Sequence, residues 1–223
     1  MKVKSQVFST VLIVLFAAGL CSAAPTISYT GSLSTSDSSL VGAGSWASGT
    51  TLEWTVSLNG AWHYEYTLTV AEKDISHMII ETSGSFTREN IWQENWSPIE
   101  INTFDSSNGN PEIPGSIYGI KFDDTSGTTF YASFYSDRAP IWGDFYAKDG
   151  RAASADIFNT VYNAGFSVPD PDILAYPVSN GSVYDHLLVP DTTSTQVPAP
   201  AALVLGSMGV GLTGWLRRKR ILN

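Results

Sequence analysis

The sequence predicts an all-β protein, an antiparallel two-sheet sandwich or jelly roll set between two apolar chain ends. Three observations carry that prediction. Apolar residues alternate with Ser, Thr, Tyr and Glu along Thr51–Val70 and again along Thr128–Ala147. No stretch of Ala24–Gln196 sustains apolar residues at i, i+3, i+4 and i+7, as an amphipathic helix would. Gly, Asn, Asp and Pro punctuate the alternating runs at short intervals, which is the rhythm of a many-stranded sandwich.

Taken in order, the first strand is expected near Ile27–Leu33. The clearest unit follows, TLEWTVSLNGAWHYEYTLTV at Thr51–Val70. Leu52, Trp54 and Val56 alternate with polar residues, as do Trp62, Tyr64, Tyr66 and Leu68. A two-residue Asn59-Gly60 turn would set the two apolar rows on opposite faces, so parity rejects it. A three-residue loop, Leu58-Asn59-Gly60, restores parity and puts Gly60 at the left-handed position such loops need. That register pairs Val56 with Trp62, Trp54 with Tyr64 and Leu52 with Tyr66, and it opposes Glu53 and Glu65.

Further strands are expected near Ile75–Thr82, Ser116–Phe122 and Tyr184–Val189. A second hairpin is expected over Thr128–Gly150, with Phe130, Ala132 and Phe134 inward. In it, Ser136–Pro140 turns, Ile141–Ala147 returns and Lys148-Asp149-Gly150 turns again. Asp156–Tyr162 reads as a short helix.

The two ends differ from the middle. Lys2 and Lys4, the apolar run Val11–Leu20 and the small residues Ser22-Ala23-Ala24 make a secretory signal peptide over residues 1–23. Cleavage is expected after Ala23, because cutting after Ala24 would leave Pro25 next to the scissile bond. Cys21 is the only cysteine, so the mature chain is expected to contain none. Disulfides, thiolate zinc sites and a cysteine nucleophile are thereby excluded. Residues 24–190 then form one extracellular domain, held by its own core, and 191–198 form a polar linker ending in proline.

All 21 acidic residues lie between Asp37 and Asp191, where only six basic residues occur, a formal charge of about −15. That charge argues against nucleic acid as a partner. After the linker, Ala199–Leu216 is apolar or small for 18 residues. As a helix it would cross a bilayer, with Arg217, Arg218, Lys219 and Arg220 on the cytoplasmic side. Gly206, Gly209, Gly211 and Gly214 make it a poor permanent anchor.

The motif Val197-Pro198-Ala199-Pro200, the glycine-rich apolar run and the terminal basic cluster together resemble the PEP-CTERM sorting signal of exported bacterial proteins. Ala199 stands where that family usually carries glutamate. The resemblance covers about a tenth of the chain. It implies an exosortase-type membrane processing enzyme as a partner, transient membrane attachment through residues 199–216, and a destination at the cell surface or in an exopolysaccharide matrix. The stretches ISHMIIETSGSFT, GIKFDD, SDRAPIWGDFYAKDG and VYNAGF resemble blocks of an uncharacterised secreted family with such tails, which implies no activity.

Signatures of chemistry are sparse. The sequence holds no G-x-S-x-G elbow, no H-E-x-x-H helix and no P-loop. His63, His77 and His186 are scattered; His63 is expected on a sheet surface, His77 and His186 as satisfied structural residues. Asp123, Asp124, Asp137, Asp144 and Asp149 flank expected strands and are candidate calcium ligands, since calcium takes oxygens from such loops. Trp92 and Trp96, in NIWQENWSP, sit in a polar context and are candidates for stacking on sugar rings. The other tryptophans of the domain are expected mostly in the core. The expected function is a non-catalytic structural or binding domain at the cell surface. The alternative is a carbohydrate-active enzyme, or a carbohydrate- or calcium-binding module.

Overall fold

The computed structural model describes residues 27–95, 98–123, 126–150 and 158–190. The signal peptide, the linker, the sorting tail, Trp96 and Asp124 lie outside the described residues. Among those described, no helix is long and apolar enough to cross a membrane.

The fold is all-β, with antiparallel sheets arranged like a sandwich. A five-stranded sheet has the order β1 (Ile27–Ser34), β3 (Thr51–Leu58), β4 (Trp62–Thr69), β9 (Thr129–Ser136), β6 (Ile91–Trp92). A six-stranded sheet has the order β2 (Leu40–Gly42), β12 (Thr160–Asn163), β11 (Phe145–Asp149), β5 (Ile75–Glu81), β8 (Ile117–Phe122), β7 (Ile99–Phe104). A two-stranded ribbon pairs β10 (Pro140–Gly143) with β13 (Leu187–Pro190).

The alternation read from the sequence is the alternation that is buried. Leu52, Trp54 and Val56 from β3, Tyr64, Tyr66 and Leu68 from β4, and Phe130, Ala132 and Phe134 from β9 line one inner face. They meet Met78, Ile80, Ile120, Phe122, Phe145 and Ala147 in one core cluster. Phe122 of the six-stranded sheet reaches across to Phe130 and Phe134, with ring centroids 6.0 and 6.1 Å away. Burying each such ring is worth about 1.5–3 kcal/mol, and the described domain holds together on that core.

Strand β5 is buried on both faces. Its outer side carries Ile79, which joins Phe104, Ile113, Ile117 and Tyr146 in a second cluster. The apolar run His77–Ile80 therefore serves two cores, as runs without alternation do in covered strands.

Three expectations need correction. The first hairpin has a three-residue connection, but it is Asn59-Gly60-Ala61, and Val56 pairs with Tyr64, Trp54 with Tyr66 and Leu52 with Leu68. The shift by two keeps every side chain on its expected face. It also sets Glu53 against Thr67 and Glu65 against Thr55, removing the like-charge opposition. Gly60 holds φ +79° at the apex.

The second hairpin does not form. β9 pairs with β4 and β6, while β10 leaves for β13 and β11 enters the opposite sheet between β5 and β12. The run from Pro140 to Asp149 is nearly all buried, so it crosses between layers. Of the expected helix Asp156–Tyr162, residues 158–162 are described, and from Thr160 on they belong to strand β12, paired with β11 and β2. Tyr184 and Asp185 form a turn ahead of β13.

Candidate functional site

Two places concentrate polar and aromatic groups beyond the needs of packing. The first is the outer face of the five-stranded sheet. Ile91 turns inward, so Trp92, its neighbour on β6, turns outward and is 36% exposed. Trp92 pairs with Tyr135 of β9, and Tyr135 pairs with His63 of β4. The His63 and Tyr135 rings stack at 4.4 Å. Directly opposed residues share a face, so Trp92, Tyr135 and His63 make a row across three strands. Tyr131, 44% exposed, stands four residues before Tyr135 on the same face of β9 and donates its hydroxyl to Glu65 Oε1 at 2.6 Å. The His63 Nε2 lies 2.8 Å from Ser133 Oγ. Asn95 binds the β9 backbone at Ser133 and Tyr131 and so secures the Trp92 segment along the edge.

Trp92 thus lies on the surface, as expected. Trp46, Trp54 and Trp142 are buried, and Trp62 is half-buried against the core.

The second place is a cluster of carboxylates around one buried histidine. Glu81 ends β5, Asp144 sits between β10 and β11, Asp170 follows the 3-10 turn Ala164–Ser167, and His186 precedes β13. His186 is fully buried, and its Nε2 lies 3.5 Å from Asp144 Oδ1 and 3.5 Å from Asp170 Oδ1. Nε2 makes no hydrogen bond. The other ring nitrogen, Nδ1, lies 3.3 Å from the Val183 carbonyl. The ligating atoms of Asp144, Asp170 and His186 all fall within 4.8 Å of one another.

The backbone around this group is tightly determined. Tyr184 and Asp185 both adopt left-handed φ, +47° and +60°, in a turn closed by the His186 N–H on the Val183 carbonyl at 3.0 Å. Neither residue is glycine, and such conformations persist where the surroundings impose them. Gly165 packs against the imidazole so closely that a Cβ there would lie 2.7 Å from Nδ1. Asn163, itself buried, donates from Nδ2 to Asp144 Oδ1 at 2.6 Å and to the Asp185 carbonyl at 2.9 Å. Glu81 Oε2 accepts the Asp144 backbone N–H at 2.8 Å.

Electrostatics follow from burial. Burial, then the neighbouring Asp170 and Asp144 charges, push the Glu81 carboxyl up to about 8. Burial raises Asp144 as well, against the opposing pull of the Asn163 hydrogen bond and of His186. Asp170 is raised by burial, partly offset by His186. Among the described residues no lysine or arginine forms an ion pair with any of the three.

The four described aspartates among the expected calcium ligands, Asp123, Asp137, Asp144 and Asp149, do not converge. Asp123 pairs with Lys121 at 2.6 Å and lies 3.9 Å from His77. Asp137 accepts the Asn90 amide and faces Arg138. Asp149 accepts the Asn159 amide at 2.5 Å, at the far end of β11 from Asp144. Only Asp144 enters the carboxylate–histidine group. His77 is satisfied, with Nε2 2.8 Å from Asn110 Oδ1, as expected. His186 is not satisfied, which corrects that expectation: its Nε2 is buried without a hydrogen-bond partner. Glu81, Asp170 and His186 gave no motif in the sequence because they stand far apart in the chain. The one local hint is Asp185-His186 directly before the apolar strand LLVP.

Comparison of the chain with protein-family models, curated proteins and solved structures found no match.

Proposed function

We propose that this chain is an exported cell-surface or exopolysaccharide-matrix protein whose two-sheet sandwich binds polysaccharide without transforming it. The signal peptide exports it. The PEP-CTERM-like tail, with Val197–Pro200, the apolar stretch 199–216 and the basic cluster, holds it briefly in the membrane until an exosortase-type enzyme processes it. The observation that carries the binding reading is the outward row Trp92–Tyr135–His63 on the five-stranded sheet. Flat apolar rings stack on sugar faces, and the Glu65 and Tyr131 groups beside them offer hydrogen bonds to hydroxyls.

A glycosidase would need two carboxylates at suitable separation, presented to the polymer. Asp144 is only 6% exposed and is held by Asn163, a poor position for work on a polysaccharide. That observation favours the binding reading over the enzyme.

Two measurements test the proposal. The intact mass of the protein recovered from the surface of its producing cell should correspond to a chain starting at Ala24 and lacking everything beyond the VPAP segment. A surface protein still ending at Asn223 would sink the sorting claim. Binding of the exported protein to the exopolysaccharide of the same cell should weaken severalfold on Trp92→Ala, with unchanged thermal stability. Undiminished binding would remove the aromatic row from the interaction.

A further inference from the structure

We propose that Asp144, Asp170 and His186 form a zinc site, a function separate from the aromatic face and independent of how the chain is sorted. Three donors from three separate segments converge: the β10–β11 junction, the loop after Ala164–Ser167, and the turn before β13. Acidic groups alone would not establish a site. The independent observation is the His186 Nε2, wholly buried, without a hydrogen-bond partner and aimed between two carboxylate oxygens.

The imidazole is prepared for a metal. When Nδ1–H donates to the Val183 carbonyl, Nε2 of the neutral ring presents its lone pair to the carboxylates. That outer hydrogen bond is the usual way a ligating histidine is oriented. Asn163 plays the corresponding part for Asp144, holding Oδ1 in place through its amide. Gly165 and the left-handed Tyr184-Asp185 turn leave the ring little freedom.

Geometry and donor chemistry select the ion. Zinc bonds of about 2.0–2.2 Å at tetrahedral angles put neighbouring ligand atoms about 3.4 Å apart. Both carboxylate oxygens lie 3.5 Å from Nε2. Calcium and magnesium take oxygen ligands and have no use for a buried imidazole. Three protein ligands leave a fourth position for water, as open zinc sites do. The charge also balances: Asp144 and Asp170 bring two carboxylates that no described lysine or arginine pairs with, and a dication supplies what is missing. Asp170, 43% exposed at its side chain, gives the ion a route in from solvent.

The test uses the full-length, tag-free chain in detergent, stripped with chelator and titrated with zinc chloride by calorimetry. One zinc ion per chain is expected, with proton release and a raised melting temperature. Cobalt chloride in place of zinc should give the intense visible absorption of a tetrahedral N/O site. Asp170→Asn and His186→Gln should each lose more affinity than the roughly 10–100-fold that outer-shell changes cost. Asp170 lies in a partly exposed loop, so its variant serves even where His186→Gln does not fold. A folded wild-type chain that takes up no zinc, or binding undiminished in Asp170→Asn, would overturn the site. Calcium uptake in preference to zinc would overturn the choice of ion.

Discussion

Glu81 and Asp144 are joined by two reciprocal bonds between the end of β5 and the start of β11. The Glu81 N–H donates to the Asp144 carbonyl at 2.9 Å, and the Asp144 N–H donates to Glu81 Oε2 at 2.8 Å. The carboxyl thus substitutes for a ladder bond at the point where the chain passes from the ribbon into the six-stranded sheet.

Glu81→Ala therefore leaves a buried backbone donor without an acceptor and should destabilise the protein by about 1–3 kcal/mol. Glu81→Gln keeps an oxygen for that donor and should cost less than about 1 kcal/mol. Urea unfolding of the two variants checks the difference, and equal losses would remove the hydrogen bond from the account.

His77 supplies a pH dependence whose sign is determined. Burial, then the charges of Lys121 and Lys148, push its pKa down to about 4 from an ordinary 6.5. The unfolded chain binds the proton first as pH falls, so the stability carried by neutral His77 is complete above about 6.5 and is lost progressively toward about 4. In urea midpoints at pH 7, 5.5 and 4.5, His77→Gln should fall less steeply than the parent. Parallel curves would refute it.

Gly60 tests the hairpin connection. Its φ of +79° is reached by other residues at about 1–2 kcal/mol. A side chain there would meet nothing within 4 Å, so the cost is conformational alone. Gly60→Asn should be milder than Gly60→Val, since Asn tolerates left-handed backbone and a β-branched residue does not. Thermal melts of the pair give the comparison.

Tyr66 ties the five-stranded sheet to the β10–β13 ribbon, because its buried hydroxyl donates to the Leu188 carbonyl at 2.8 Å. Tyr66→Phe should cost about 1–3 kcal/mol while leaving the aromatic packing in place. Amide exchange should show the loss concentrated in Leu187–Pro190 if the ribbon depends on that bond, and spread evenly if it does not.

How far the chain was legible can be judged from the first hairpin. Alternation decides which side chains face the core, and Leu52, Trp54, Val56, Tyr64, Tyr66 and Leu68 all do. Alternation has period two, so a slip of two residues leaves both faces unchanged. It could not separate the Val56–Trp62 register from the Val56–Tyr64 register that forms. Cross-strand contacts decide that, including the relief of Glu53 from Glu65. At β10 and β11 the local signal misled, because turn residues after Ser136 suggested a hairpin. The partners of those strands, β13, β5 and β12, are distant in sequence, and buried segments report only that they are buried.

The sequence by itself determined the all-β character and the inward rows of the main strands, which follow from local alternation and turn chemistry, and the polar context of NIWQENWSP pointed to an exposed Trp92. Tertiary structure alone decided which strands pair across the layers, that Trp92 lines up with Tyr135 and His63, and that Asp144, Asp170 and His186 meet. The reason is physical: alternation is a property of neighbours in the chain, whereas a site assembled from three separate loops and turns has no spacing to read. Only the packing of the sheets brings a buried imidazole to two carboxylates.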